Sequence, residues 1–110
     1  VLCVGLTSEG APHKPFDEAE DKDRASLALP DDQDALVEAV ASAGRPVVLV
    51  VVSGGPVDLR RWRDDARVGA IVWAGYPGQA GGDALADALF GVTNPSGRLT
   101  QTWYDESFVA

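Results

Sequence analysis

Six consecutive apolar residues, Val47 to Val52, five of them valine, constrain this 110-residue chain more than any other feature. β-Branching at that density favours a strand over a helix, and an apolar residue at every position fits a strand buried on both faces, as in a parallel sheet. What flanks the run agrees. Leu36, Val37, Val40 and Ala43 recur at helical spacing, with Asp31 or Asp32 as the cap and Gly44 and Pro46 as the stop, which predicts a helix over 31–43. Beyond the run, Ser53-Gly54-Gly55-Pro56 turns the chain into a short helix from about Val57 to Asp65. Residues 1–6 and 68–74 read as further strands and 80–90 as a third helix. The order β, loop, α, β, α, β, α defines an α/β protein, a parallel sheet with helices packed on it.

In such a sheet the loops that follow the strands gather at one edge, where ligands bind. The long polar loop 7–30, the Ser53-Gly54-Gly55 turn and Tyr76-Pro77-Gly78-Gln79 are therefore expected to converge. The first contains Asp17, Glu18, Glu20, Asp21 and Asp23 beside Lys14, Lys22 and Arg24. Charge alone makes it a solvated loop. Its place at the binding edge gives a second reading, in which one carboxyl near other negative charge, or in a closed pocket, is a proton donor with a raised pKa. Asp23-Arg24 is then an ion pair pinning the loop's exit. Tyr76 and Gln79 bring a flat apolar surface and an amide, suited to a sugar face and its hydroxyls.

Several function classes are disfavoured. A net charge of −8, from 17 acidic against 9 basic residues, repels a phosphate backbone, so no nucleic-acid partner is expected. The longest apolar run is far too short to cross a bilayer. The lone Cys3 allows no internal disulfide and no cysteine zinc site, and its strand setting predicts a buried, small hydrophobe. His13, the one histidine, cannot form a histidine metal cluster, and no metal is expected. Ser53-Gly54-Gly55 lacks the Lys-Ser/Thr of a phosphate loop and the spacing of a dinucleotide fingerprint, which leaves a tight turn as the better reading and a nucleotide-binding domain as a weak one. Gly78, Gly81 and Gly82 suit a positive-φ turn and close helix packing. Trp62, Trp73 and Trp103 are too irregularly spaced to form a stacking platform, and Trp73 belongs to the core. The tail 94–110 either adds an edge strand or meets a partner surface. The chain opens inside an apolar strand, without methionine or a basic leader, and is expected to be a piece of something longer; cytoplasmic and secreted locations both stay open.

Five ordered motifs resemble the C-terminal domain of glycoside hydrolase family 3. They are Glu18-x-Glu20-x-x-Asp23-Arg24, Leu27-x-Leu29-Pro30-x-x-Gln33, the valine run with Ser53-Gly54, Tyr76-Pro77-Gly78-Gln79-x-Gly81-Gly82, and Leu89-Phe90-Gly91-x-x-Asn94-Pro95-Ser96-Gly97-Arg98-Leu99. The resemblance covers Val1 to about Tyr104 and is strongest to the β-xylosidase branch, with β-glucosidase next. It implies a three-layer α/β/α sandwich with a mostly parallel sheet, about two further strands before Val1, and an N-terminal TIM-barrel domain as partner within the parent chain. It also implies a retaining mechanism on β-linked oligosaccharides without a cofactor, the barrel supplying an Asp nucleophile and this chain the acid/base. Glu20 stands in the matching position and Glu18 is the alternative; Asp23, Arg24, Tyr76 and Gln79 are the implied substrate-binding residues. Without the nucleophile, this chain alone is expected to be inactive. It departs from the family pattern at Asp21, often Gly, at Thr100, usually Pro, and in a longer stretch from Thr7 to Asp17. The competing reading is a non-catalytic carbohydrate-binding module of the same fold.

Overall fold

The structure, a computed structural model, describes residues 1–7 and 23–109. Strands β1 (Leu2–Gly5), β2 (Val47–Val52) and β3 (Val68–Trp73) alternate with helices α1 (Gln33–Ala41), α2 (Arg60–Arg63) and α3 (Gly81–Leu89), and a single 3-10 turn, Glu106–Phe108, lies near the end. The sheet order is β1-β2-β3 and both pairings are parallel. Leu2 faces Leu49 and Val4 faces Val51; Leu49 in turn faces Ile71 and Val51 faces Trp73, after an irregularity between Val47 and Val48. The α/β architecture expected from the valine run and its flanks is the one observed.

One face of the sheet carries the core. Val4, Val47, Leu49 and Val51 pack with Val37 and Ala41 of α1, with Trp62 of α2, and with Leu6, Leu29, Val57 and Leu59 from the connections. Leu49, Val37 and Val51 are completely buried, each worth about 1.5–3 kcal/mol relative to an exposed side chain. Trp62 is also fully buried, and its indole Nε1 donates to Asp34 Oδ1 at 2.6 Å, joining α2 to α1. The opposite face is covered less. Cys3, between Leu2 and Val4, is exposed rather than buried, because β1 borders only β2 among the described strands and alternate residues point to opposite faces.

Local chemistry accounts for the differences in element ends. Asp32 holds the N-cap position of α1, but its side chain makes no capping bond; the backbone starts the helix, Pro30 O accepting the Gln33 N–H and Asp32 O that of Leu36. The helix predicted from Val57 begins at Arg60. Residues 57–59 are drawn elsewhere: Val57 is buried, and the Asp58 N–H donates to Leu27 O at 2.6 Å. The tail forms no strand among the described residues. Instead Trp103 packs on the core and meets Trp73 edge-on, their centroids 5.8 Å apart.

An ion-pair cluster ties α1 to the approach to β3. Arg67 donates to both Glu38 and Asp65, and Arg61 reaches Glu38 as well. The Arg67 hydrogen bonds, helped at Glu38 by Ser42, hold the carboxyls of Glu38 and Asp65 down to about 2.

Candidate active site at the strand ends

The three described strands end at one edge, at Gly5, Val52 and Trp73, and there the turn after β2 meets described residues of the other two connections, Arg24 and Tyr76. The turn after β2 forms the middle. Ser53 is fully buried; its Oγ donates to Gly55 O at 2.7 Å, while Trp73 Nε1 donates to Ser53 O and Oγ at 3.0 and 3.1 Å. This indole fixes the β2 turn against the end of β3. Gly54 allows a close approach: a Cβ there would lie 2.7 Å from Cε2 of Tyr76, so the tyrosine ring rests directly over the glycine. Gly78, Gly81 and Gly82 do not have positive φ; Gly75 does, at 62°. Gly81 serves close packing instead, since a Cβ on it would collide with the Pro77 ring.

Arg24 reaches the same turn from the other side. Its guanidinium donates to Pro56 O at 2.5 Å and to Ala28 O at 3.3 Å. Leu27 is held on both backbone groups, its N–H by Glu106 Oε2 at 2.6 Å and its carbonyl by the Asp58 N–H. Partial burial disfavours the charged form of Asp58, yet backbone N–H donors from Glu106 and Arg60, with the Arg60 and Arg63 charges, bring its carboxyl below the usual range. An ionised Asp58 therefore anchors segment 24–29 to the tail through Glu106. At the start of the acidic segment, Gln33 bonds both backbone groups of Gly5.

Two of the expected substrate-binding residues thus meet one turn: Arg24 at Pro56 and Tyr76 at Gly54. Tyr76 is half exposed, and Asp23 and Gln79 lie on the surface. Glu18, Glu20 and His13 lie outside the described residues. A separate pocket of about 320 Å³ opens between Ile71, Trp73, Leu99, Trp103, Tyr104 and Arg60. Among the described residues no group of three His, Cys, Asp or Glu side chains could hold a metal ion, and no helix is long and apolar enough to cross a membrane.

Residues 1–108 match the sequence profile of the glycosyl hydrolase family 3 C-terminal domain. The chain belongs to glycosyl hydrolase family 3. Its relatives include Beta-D-xylosidase 1 of Arabidopsis thaliana, 55% identical over 84% of this chain, and Probable beta-D-xylosidase 7 of the same plant, 52% identical over 99%. A fungal relative, Probable exo-1,4-beta-xylosidase bxlB of Aspergillus fumigatus, is 44% identical over 84%. The chain spans only 12–13% of the length of these proteins. Among solved structures, a GH3 exo-beta-xylosidase (XlnD) bound to a xylobiose aziridine activity-based probe superposes with a TM-score of 0.80 at 40% identity, over 84% of this chain and 12% of that one.

Two contacts of this family 3 domain escaped the sequence reading. Gln33 was visible in the Leu-x-Leu-Pro-x-x-Gln motif but without a task, because its partner Gly5 lies 28 positions away. Trp62 sat in an arginine-rich stretch that hid its burial; the spacing Trp62, Arg63 and the short length of α2 gave no apolar stripe to follow.

Proposed function

We propose that this chain is part of a retaining β-glycosidase, a β-xylosidase first and a β-glucosidase second, and that it supplies the acid/base loop and part of the substrate pocket. The observation that carries the reading is the attachment of Arg24. Four residues after Glu20, the chain is fastened to the Pro56 carbonyl, in the turn over which Tyr76 lies. The described residues on either side of the acidic segment, up to Thr7 and from Asp23, thus both lie near the strand ends, which supports a site there.

In the proposed reaction an Asp of an N-terminal barrel domain attacks the anomeric carbon as Glu20 protonates the glycosidic oxygen. The aglycone departs and a glycosyl ester forms on the Asp. Glu20, now a carboxylate, takes a proton from water as that water attacks the same carbon, which releases the sugar with retained configuration and restores both groups. Glu18 is the alternative for this role. Tyr76 and Gln79 would border the sugar, and Asp23 and Arg24 would line the exit of the loop. The plant and fungal relatives named as xylosidases support xylose as the sugar.

Azide rescue of Glu20→Ala in the full-length protein tests the assignment. With an activated aryl β-xyloside the first step needs little acid help, so the variant should stall at the intermediate and azide should restore turnover as a β-glycosyl azide. Wild-type turnover by Glu20→Ala without azide would move the role to Glu18 or out of this segment.

A further inference from the structure

The pocket that Trp73 lines is walled by rings which other contacts hold in place. Trp73 is fixed by its bonds to Ser53 and meets Trp103 edge-on, while Tyr104 stacks on Phe108 with centroids 4.0 Å apart and planes 13° from parallel. Both tryptophans and Tyr104 border the cavity of about 320 Å³, a volume within the range of small-molecule sites. Its charged lining is balanced, Asp58 and Asp105 against Arg60 and Arg63, so an ionic ligand of either sign meets as much repulsion as attraction. Arg60 lies 3.3 Å from Asp105, yet the two side chains are still 50% and 44% exposed, which leaves guanidinium N–H groups and carboxylate lone pairs open to a ligand. Trp103 adds a further signal. Its indole Nε1 is buried and has no hydrogen-bond acceptor among the described residues, a costly state for a donor in a pocket wall.

We propose that this pocket binds an uncharged sugar unit. A pyranose matches each part of the lining. The C–H groups of one ring face suit the electron-rich faces of aromatic rings, and its hydroxyls can donate to Asp105 and accept from Arg60. It carries no charge to upset the balance of the two aspartates and two arginines. A small turn of the Trp103 ring, of the kind common on binding, gives the buried N–H a hydroxyl oxygen as its acceptor. The choice of xylose as the first sugar to try follows the proposed function, but the pocket itself does not depend on Glu18 or Glu20.

Hydroxyl-radical footprinting of the full-length protein, read by mass spectrometry at Tyr104, tests this locally. Xylose and a thio-linked xylobiose, which resists hydrolysis, are titrated separately. Labelling of Tyr104 should fall to a plateau with at least one of them; the lower half-protection concentration tells a site for free sugar from one for a unit within a chain. Leu99→Trp fills the cavity from its exposed side and should raise the concentration for half-protection about tenfold or more, as loss of a central contact does. If that variant does not fold, Arg60→Ala, which removes a donor from the rim, decides by a shift in the same direction. No protection of Tyr104 by either sugar, or protection that the folded variant leaves unchanged, would overturn the proposal. A Tyr104 that takes no label before sugar is added would overturn it too, since another part of the polypeptide then covers the pocket. The readout does not require turnover, so a protein that hydrolyses no xyloside yet shows this protection loses the proposed function and keeps the pocket.

Discussion

Replacing Trp62 by phenylalanine should weaken this domain by about 2.5–4 kcal/mol: about 1.5–3 for a hydrogen bond to a charged acceptor and about 1 for the void left by the smaller ring. The indole is completely buried, and its Nε1 lies 2.6 Å from Asp34 Oδ1, a part-buried side-chain bond between α2 and α1 beside the exposed Arg61–Glu38 pair. The central strand β2 reports the loss, since its amides exchange with solvent only when the core opens. At 1.4 kcal/mol per factor of ten, hydrogen exchange over Val47–Val52 in the full-length protein should accelerate by about two to three orders of magnitude. Asp34→Ala leaves the indole N–H buried without its acceptor and should cost about 1–3 kcal/mol. Combining it with Trp62→Phe should yield a coupling of about 1–2 kcal/mol, because both variants break one bond. Acceleration below about tenfold in Trp62→Phe, or a coupling within about 0.5 kcal/mol of zero, would refute the reasoning and make the bond incidental to the packing.

Gly5→Ala forces a side chain onto a backbone at φ 146° and into the Val52 carbonyl, and should cost more than about 2 kcal/mol; a melting temperature within about 2 °C of wild type would contradict this. Glu38 and Asp65, their carboxyls lowered to about 2 by Arg67 from ordinary values of 4.5 and 3.8, should make the domain acid-sensitive. A depressed folded-state pKa stabilises fully above the unfolded value and less as pH falls through the folded one, so this contribution is present above about pH 4.5 and fades toward pH 2. Melting temperatures of wild type and Glu38→Gln should differ at neutral pH and converge on acidification; a constant gap would show that Glu38 acts by other means.

The order of elements was legible because it is written in short-range pattern. The valine run, the helical spacing of Leu36, Val37 and Val40, and the Gly and Pro stops each depend on neighbours within a turn or two. The start of α2 was not, since Val57 and Asp58 are held in the loop by burial and by Leu27, some thirty positions earlier. Cys3 was misjudged because an apolar run suggests two covered faces, while β1 has one covered face here. At the candidate site the strand-end placement of Tyr76 beside the Ser53-Gly54 turn followed from the α/β rule, and the Gly54 contact agrees with it. The attachments of Arg24 and Gln33 did not follow. A guanidinium on a carbonyl and an amide across a strand edge depend on tertiary placement, and no local spacing encodes them.

The all-parallel pairing bears on the sequence of events during folding. Roughly twice as much chain separates Leu2 from Leu49 as separates Val47 from Val68, an added closure cost of about 0.6 kcal/mol for the β1–β2 pairing. The nearer pair, joined by the short α2 crossover, can nucleate by itself, with Trp62 and the valine run already at hand. On this argument strand β1 is expected to join a β2–β3 pair already formed. By this closure argument the Gly5 peptide and its two hydrogen bonds to Gln33 are expected to form last, so the edge strand is the part of the sheet that opens first.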